Sequence, residues 1–205
     1  MNALTITSIT NFILAAEVLF LAGLFVQRPK GRFSAAWFWG GTLTLLGLSA
    51  LIGGIDHGFF ETQGLPRYFI QRPNWIALAL MTFFVLMTTA AQFFPRKAMI
   101  AFLALGLIQF TVDSLAALLI DDFLVVILNY APVMIFLLVM NFTGLKNGTG
   151  SWTMITGILI LFVASAIQSL GVDVFSPLDR NGLYHLVSMI GVLFMYLAGR
   201  NLRTV

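Results

Sequence analysis

Seven long apolar runs, separated by short polar connections, constrain this chain more than any other feature. They fall at about 6–26, 33–55, 74–94, 98–120, 123–144, 152–170 and 181–199. At ~1.5 Å rise per residue, each is long enough to cross a hydrocarbon core ~30 Å thick. Hydrocarbon offers no water to backbone N–H and C=O groups, so runs of this length must satisfy them internally, as helices. The expected fold is therefore all-α: a multi-pass integral membrane protein whose seven transmembrane helices form one bundle domain over residues 1–205. Only 9% of the residues are charged and 60% are hydrophobic, against roughly 25% charged in a soluble domain. That is too little charge to cover a water-facing surface. The first run has no basic residue before it and no small-residue cleavage site, so it reads as a retained helix and not a removed signal peptide.

Punctuation between the runs is sparse but consistent. Pro95 separates the third run from the fourth, and Lys146, Asn147, Gly148 and Gly150 mark the turn before the sixth. Pro132 lies inside the fifth run, where it is expected to kink the helix. Asp121 and Asp122 are the only break between the fourth and fifth runs, and two adjacent carboxylates belong at a surface turn. The connection over 56–74 is the longest, and it either lies along the interface or folds over the bundle mouth. Spaced small residues on the second helix (Gly40, Gly47, Gly54) and the seventh (Ser188, Gly191, Gly199) permit close helix contacts.

The basic residues set the orientation. Arg28, Lys30 and Arg32 lie in the first loop, Arg96 and Lys97 in the third, Lys146 in the fifth, and Arg200 and Arg203 in the tail. With seven spans, these four segments share one side. The other side carries Asp56, Glu61, Asp121, Asp122, Asp173 and Asp179, with Arg67, Arg72 and Arg180 among them. The positive-inside rule then makes the first set cytoplasmic, with the N-terminus outside and the C-terminus in the cytoplasm. A net charge of +3 on loops beside helix ends does not suggest nucleic acid as a partner. The absence of cysteine excludes disulfides, thiolate metal sites and cysteine nucleophiles.

Ionisable groups at membrane depth are costly, so each is a functional candidate. Glu17 falls near the middle of the first helix, and Asp113 lies about two turns from the outer end of the fourth. Gln109 and Ser114 extend Asp113 into a polar stripe. His57 ends the second helix on the outer side, next to Asp56. His185 lies about one turn into the seventh helix, flanked on one face by Asn181 and Ser188. Gln168, Asn129 and Tyr130 sit at similar depth. The only two histidines of the chain thus fall in the outer third of the bundle. One reading is a zinc site with His57, His185 and Asp56 or Asp113 as ligands, its bound water serving as nucleophile and a nearby carboxylate as general base. The other is that each histidine is an interfacial or interhelical hydrogen-bonding residue. Glu17 is either a buried acid bonded to a neighbouring helix or part of the floor of a polar cavity.

A second helix closing in an outer-side histidine, followed by a seventh opening with NGLYHLVSMIG, resembles the CREST superfamily. These are seven-helix membrane proteins that include alkaline ceramidases and progestin/adipoQ receptors. The resemblance implies a zinc-dependent hydrolase acting on a lipid amide or ester near the outer face. His57 and His185 would be zinc ligands, and Asp56 or Asp113 would take the aspartate's role; Asp113 is the catalytic candidate. Asn181 stands where that family has a further histidine, and Gly53 where it has a serine. Those departures point to the alternative of a non-enzymatic receptor for a lipid or other ligand, or a subunit of a membrane complex. A proton-coupled transporter using Glu17 and Asp113 is the third reading.

Overall fold

The structure, a computed structural model, describes residues 3–28, 30–173, 176 and 178–205. Among these residues seven helices are long and apolar enough to cross a membrane. They are α1 (Ala3–Val26), α2 (Ala35–Ile55), α3 (Tyr68–Phe93), α4 (Met99–Leu119), α5 (Leu124–Gly144), α6 (Trp152–Ser169) and α7 (Arg180–Gly199). Short polar residues start three of them. Ser34, Ser151 and Asp179 sit in extended backbone just before α2, α6 and α7, and their side chains accept from Trp37, Met154 and Gly182 N–H. Each cap satisfies a donor that the first helical turn leaves without a partner. The α5 helix runs through Pro132 without ending.

Two boundaries differ from the apolar pattern. A π-helical turn, Asp56–Glu61, prolongs α2 beyond its apolar run. The α3 helix begins at Tyr68 and not near 74, with Pro73 inside it. Pro73 sacrifices one backbone bond, but side chains hold the additional turn. Arg72 donates to the carbonyls of Ala117 (2.9 Å) and Ile120 (2.6 Å) and pairs with Asp121 at 2.9 Å, which fastens α3 to the end of α4. Its guanidinium also lies over the Trp75 ring, 4.6 Å from the centroid.

The core forms where α1, α2, α3, α6 and α7 meet, around Val18, Phe25, Trp39, Leu43 and Val85, with Met134 and Leu137 contributed by α5. Glycines let these helices approach. A Cβ on Gly47 would reach Leu19 of α1, and one on Gly191 would reach Leu161 of α6. By contrast α4 is peripheral: of its side chains only Gly106, Asp113 and Ala117 are buried, on a single face. The outer surface of the bundle is apolar, with Ile100, Ile108, Leu119 and Leu128 exposed.

Hydrogen bonds gather the connections into two ends. At one, Gly31 N–H donates to the Thr204 carbonyl, and Gln92 joins the Thr149 carbonyl to Arg203 N–H. This is the basic end. At the other, Thr7 donates to Asp179, and Arg67 and Arg72 bind Asp56 and Asp121. This is the acidic end.

Candidate functional site

The polar residues of the acidic end form two linked groups. In the first, the π turn aligns Asp56, His57 and Glu61 along one edge, facing the loop that returns to α3. Arg67 folds back from that loop and grips Asp56 with two parallel bonds, Nε to Oδ1 at 2.9 Å and Nη2 to Oδ2 at 2.7 Å. Its remaining nitrogen, Nη1, lies 2.8 Å from Glu61 Oε1, and the other Glu61 oxygen meets His57 Nδ1. Gln71 completes the group. With its amide oxygen turned toward the guanidinium, it accepts from Arg67 at 3.2 and 3.3 Å. The bond to Asp56 is the largest influence holding the Arg67 pKa above that of a free guanidinium. A planar, bidentate pairing of this kind is the strong form of an ion pair.

The second group is built on α1, whose buried face carries Thr7, Ser8, Thr10 and Asn11. Thr7 donates to Asp179 at 3.0 Å, and Asp179 is itself the cap of α7. Asn181 donates to Asp179 and accepts from Gln168 at 3.2 Å, joining α7 to α6. His185 is buried, with Nδ1 2.9 Å from Thr10 Oγ1. The Thr10 hydroxyl proton is directed at the carbonyls of Ile6 and Thr7, so the pattern assigns the proton between the two side chains to His185 Nδ1. His185 stands within electrostatic reach of His57 and Asp179. The acidic end therefore does bring the two histidines into one neighbourhood.

Of Asp56, His57 and His185, the carboxylate is the one whose lone pairs are already committed to another side chain. A zinc ligand must direct a free lone pair at the metal, ~2.0–2.2 Å away, together with two or three others. Both oxygens of Asp56 accept from Arg67. His57 and His185 instead bond Glu61 and Thr10 through Nδ1 and keep Nε2 without a hydrogen bond among the described residues. In this pattern one ring nitrogen orients a histidine and leaves the other for a ligand. Among the described residues no three histidine, aspartate or glutamate side chains converge as a ligand set.

The other candidates lie elsewhere. Asp113 is buried on the α4 stripe that also carries Gly106, packed on Phe83 and Leu86 of α3, and Ala117, packed near Trp75. One carboxylate oxygen of Asp113 has no partner among the described residues, and the Ser114 hydroxyl is equally alone. Gln109 bonds to Asn129 of α5 beside them. Glu17 is half-buried on α1 and makes no hydrogen bond or ion pair among the described residues. Its stripe on α1 otherwise holds exposed Ile13, Phe20 and Leu24.

Ser188 belongs to a different feature, a cavity of about 180 Å³ inside the bundle. Its deep part is apolar, lined by Leu14, Leu46, Met81, Met134, Leu161 and Val192. Its part nearer the acidic end carries Tyr130, Ser165, Gln168, Tyr184 and Ser188. The exposed lining residues are Phe123, Ile127 and Ser169, at the acidic ends of α5 and α6, so the mouth lies between those two helices. Although consecutive, α5 and α6 pack lightly on each other, because α5 leans on α3. Depth along the helix singles out Tyr130, Gln168 and Ser188 from sequence. Tyr184 and Ser165 are found only once α6 and α7 are seen to face α5.

Neither curated proteins nor solved structures provide a match to the chain. The sequence model of DUF6962, a family of unknown function, matches residues 6–204, and the chain belongs to that family.

Proposed function

We propose that this chain is a multi-pass membrane protein that takes one apolar chain of a lipid, or a small apolar ligand, into the cavity between α5 and α6. The observation carrying this reading is the gradient within the cavity, hydrocarbon at depth and hydroxyl and amide groups at the mouth. Size narrows the ligand. At about 180 Å³ the space exceeds the ~150 Å³ apolar cavity that accepts benzene, and falls short of the roughly 300 Å³ or more of a pocket for a drug-sized molecule. A single hydrocarbon chain suits it and a whole sterol does not. Left empty, an apolar void of this size costs on the order of 4 kcal/mol, an incentive that a chain entering from the bilayer would recover. Tyr130, Tyr184 and Gln168 would then hold a carbonyl, hydroxyl or carboxyl at the head of the ligand. In this proposal the N-terminus lies outside and the C-terminus in the cytoplasm, so the mouth opens toward the outer leaflet.

Photocrosslinking with a diazirine-bearing fatty acid tests the reading. Ala131→Trp, which fills the cavity wall, should reduce capture about tenfold, the equivalent of ~1.4 kcal/mol. Val163→Trp, on the exposed face of α6, should leave capture unchanged. Equal capture by both variants would sink the proposal. Metal analysis separates it from a zinc hydrolase, which would need Asp56 to leave Arg67, or another group to take its place, beside the Nε2 atoms of His57 and His185. Purified protein should carry only trace zinc. Stoichiometric zinc that disappears in His57→Ala and His185→Ala would favour the hydrolase.

A further inference from the structure

A second cavity, about 120 Å³, opens at the basic end between the first loop and the tail. It exists because the chain after α7 folds back along the first loop. Gly31 N–H donates to the Thr204 carbonyl at 2.6 Å and Ala36 N–H to the Arg203 carbonyl at 3.0 Å. Gly31 suits this approach, since a Cβ there would stand 3.0 Å from the Thr204 oxygen. Three cations, Arg28, Lys30 and Arg200, line the space.

No acidic residue shares this end with them. Segments 27–34, 94–98, 145–151 and 200–205 hold eight of the chain's eleven lysines and arginines and no aspartate or glutamate. Lys30 is accounted for: its ammonium donates to the carbonyls of Phe25, Val26 and Arg28 and so closes the end of α1. Partial burial, and then the charge of Arg28, hold the Lys30 pKa below the usual lysine range, as expected where cations crowd without a counter-charge. Arg28 uses one N–H on the Arg200 carbonyl at 3.2 Å. The rest of its guanidinium, and all of that of Arg200, make no hydrogen bond or ion pair among the described residues.

We propose that Arg28 and Arg200 clamp a phosphate group over this cavity. Guanidinium forks match phosphate oxygens in pairs, and basic pockets between helices at a cytoplasmic face suit anionic headgroups. One water needs only ~10–15 Å³ of such space, so the cavity admits a tetrahedral anion. Phe25 and Leu202 give it an apolar wall, which the first carbons of a lipid would cover and inorganic phosphate would not.

Native mass spectrometry of the full chain in nanodiscs tests this. The discs are phosphatidylcholine alone or phosphatidylcholine with phosphatidic acid. Wild type should retain phosphatidic acid, and Arg28→Gln with Arg200→Gln should weaken retention roughly tenfold per guanidinium lost. Lys97→Gln with Lys146→Gln removes the same charge at the same end and should leave retention within about twofold of wild type. Arg28→Lys with Arg200→Lys keeps the charge, guards against misfolding and should lie between. Added inorganic phosphate distinguishes the sources: displacement of the lipid means that the site reads phosphate alone, and its absence means that it reads the headgroup. Equal losses in the two glutamine pairs, or no retention by wild type, would overturn the clamp.

Discussion

At the scale of single residues, the acidic end is governed by who neutralises whom. The Asp56 carboxylate is buried, and Arg67 provides the forked partner that makes its burial tolerable. Removing one member strands the other, which costs far more than an exposed ion pair is worth. Arg67→Met should therefore lower unfolding stability by about 3 kcal/mol, read by thermal denaturation in detergent. Arg67→Met combined with Asp56→Asn should be less damaging than the sum of the singles, by at least ~1 kcal/mol of coupling. Additive losses would show that the pair does not act as a unit. Sequence depth alone made Asp56 a plausible metal ligand, since it stands beside His57. What it could not show is that the chain reverses within the loop and brings Arg67 back onto that carboxylate. The partner of His185 was hidden for the same reason: Thr10 lies on the first helix, and no local spacing relates it to the seventh. The clue that did exist was the run TITSITN, too polar for a lipid-facing turn at the start of an apolar helix.

At the scale of elements, close helix contacts depend on a few glycines. The α6 and α7 helices meet at Gly157 and Gly191. A Cβ on Gly157 would lie 3.0 Å from the Gly191 carbonyl and 2.7 Å from the Met195 side chain, and one on Gly191 would reach the Leu161 side chain at 2.9 Å. Gly157→Ala must push the helices apart, and a loss of about 1–3 kcal/mol is expected. Gly23→Ala, at a position where a Cβ meets nothing within 4 Å, should be neutral or slightly stabilising, because alanine favours helix. Thermal melting of the two variants side by side checks both. Leu161 and Met195 also border the cavity, so Gly157→Ala should alter fatty-acid capture as well. The small-residue spacing on α2 and α7 pointed to such contacts. The missed element was the first turn and a half of α3. Pro73 and the polar residues before it read as a loop, and the extra turns are held by Arg72 on α4, a tertiary contact.

At the scale of the whole molecule, two ends of opposite character set what the bundle can do: carboxylates and the cavity mouth at one, uncompensated cations at the other. The absence of native cysteine makes the proposed orientation directly measurable. In intact cells or spheroplasts, Gln63→Cys should react with an impermeant maleimide, whereas Asn147→Cys should react only after permeabilisation. The reverse pattern would invert the bundle and move the phosphate clamp to the outer leaflet. The number of helices, their approximate limits and the grouping of their connections were determined by the sequence alone. Those properties follow from run length and loop charge, which a hydrocarbon solvent reads locally. The pairing of Asp56 with Arg67, the bond from His185 to Thr10, the cavity left where α5 leans away from α6, and the tail folded onto Arg28 were decided only by tertiary structure. Each joins residues whose meeting depends on which helix faces touch, and in a chain that is apolar on nearly every face the sequence pattern carries little record of that choice.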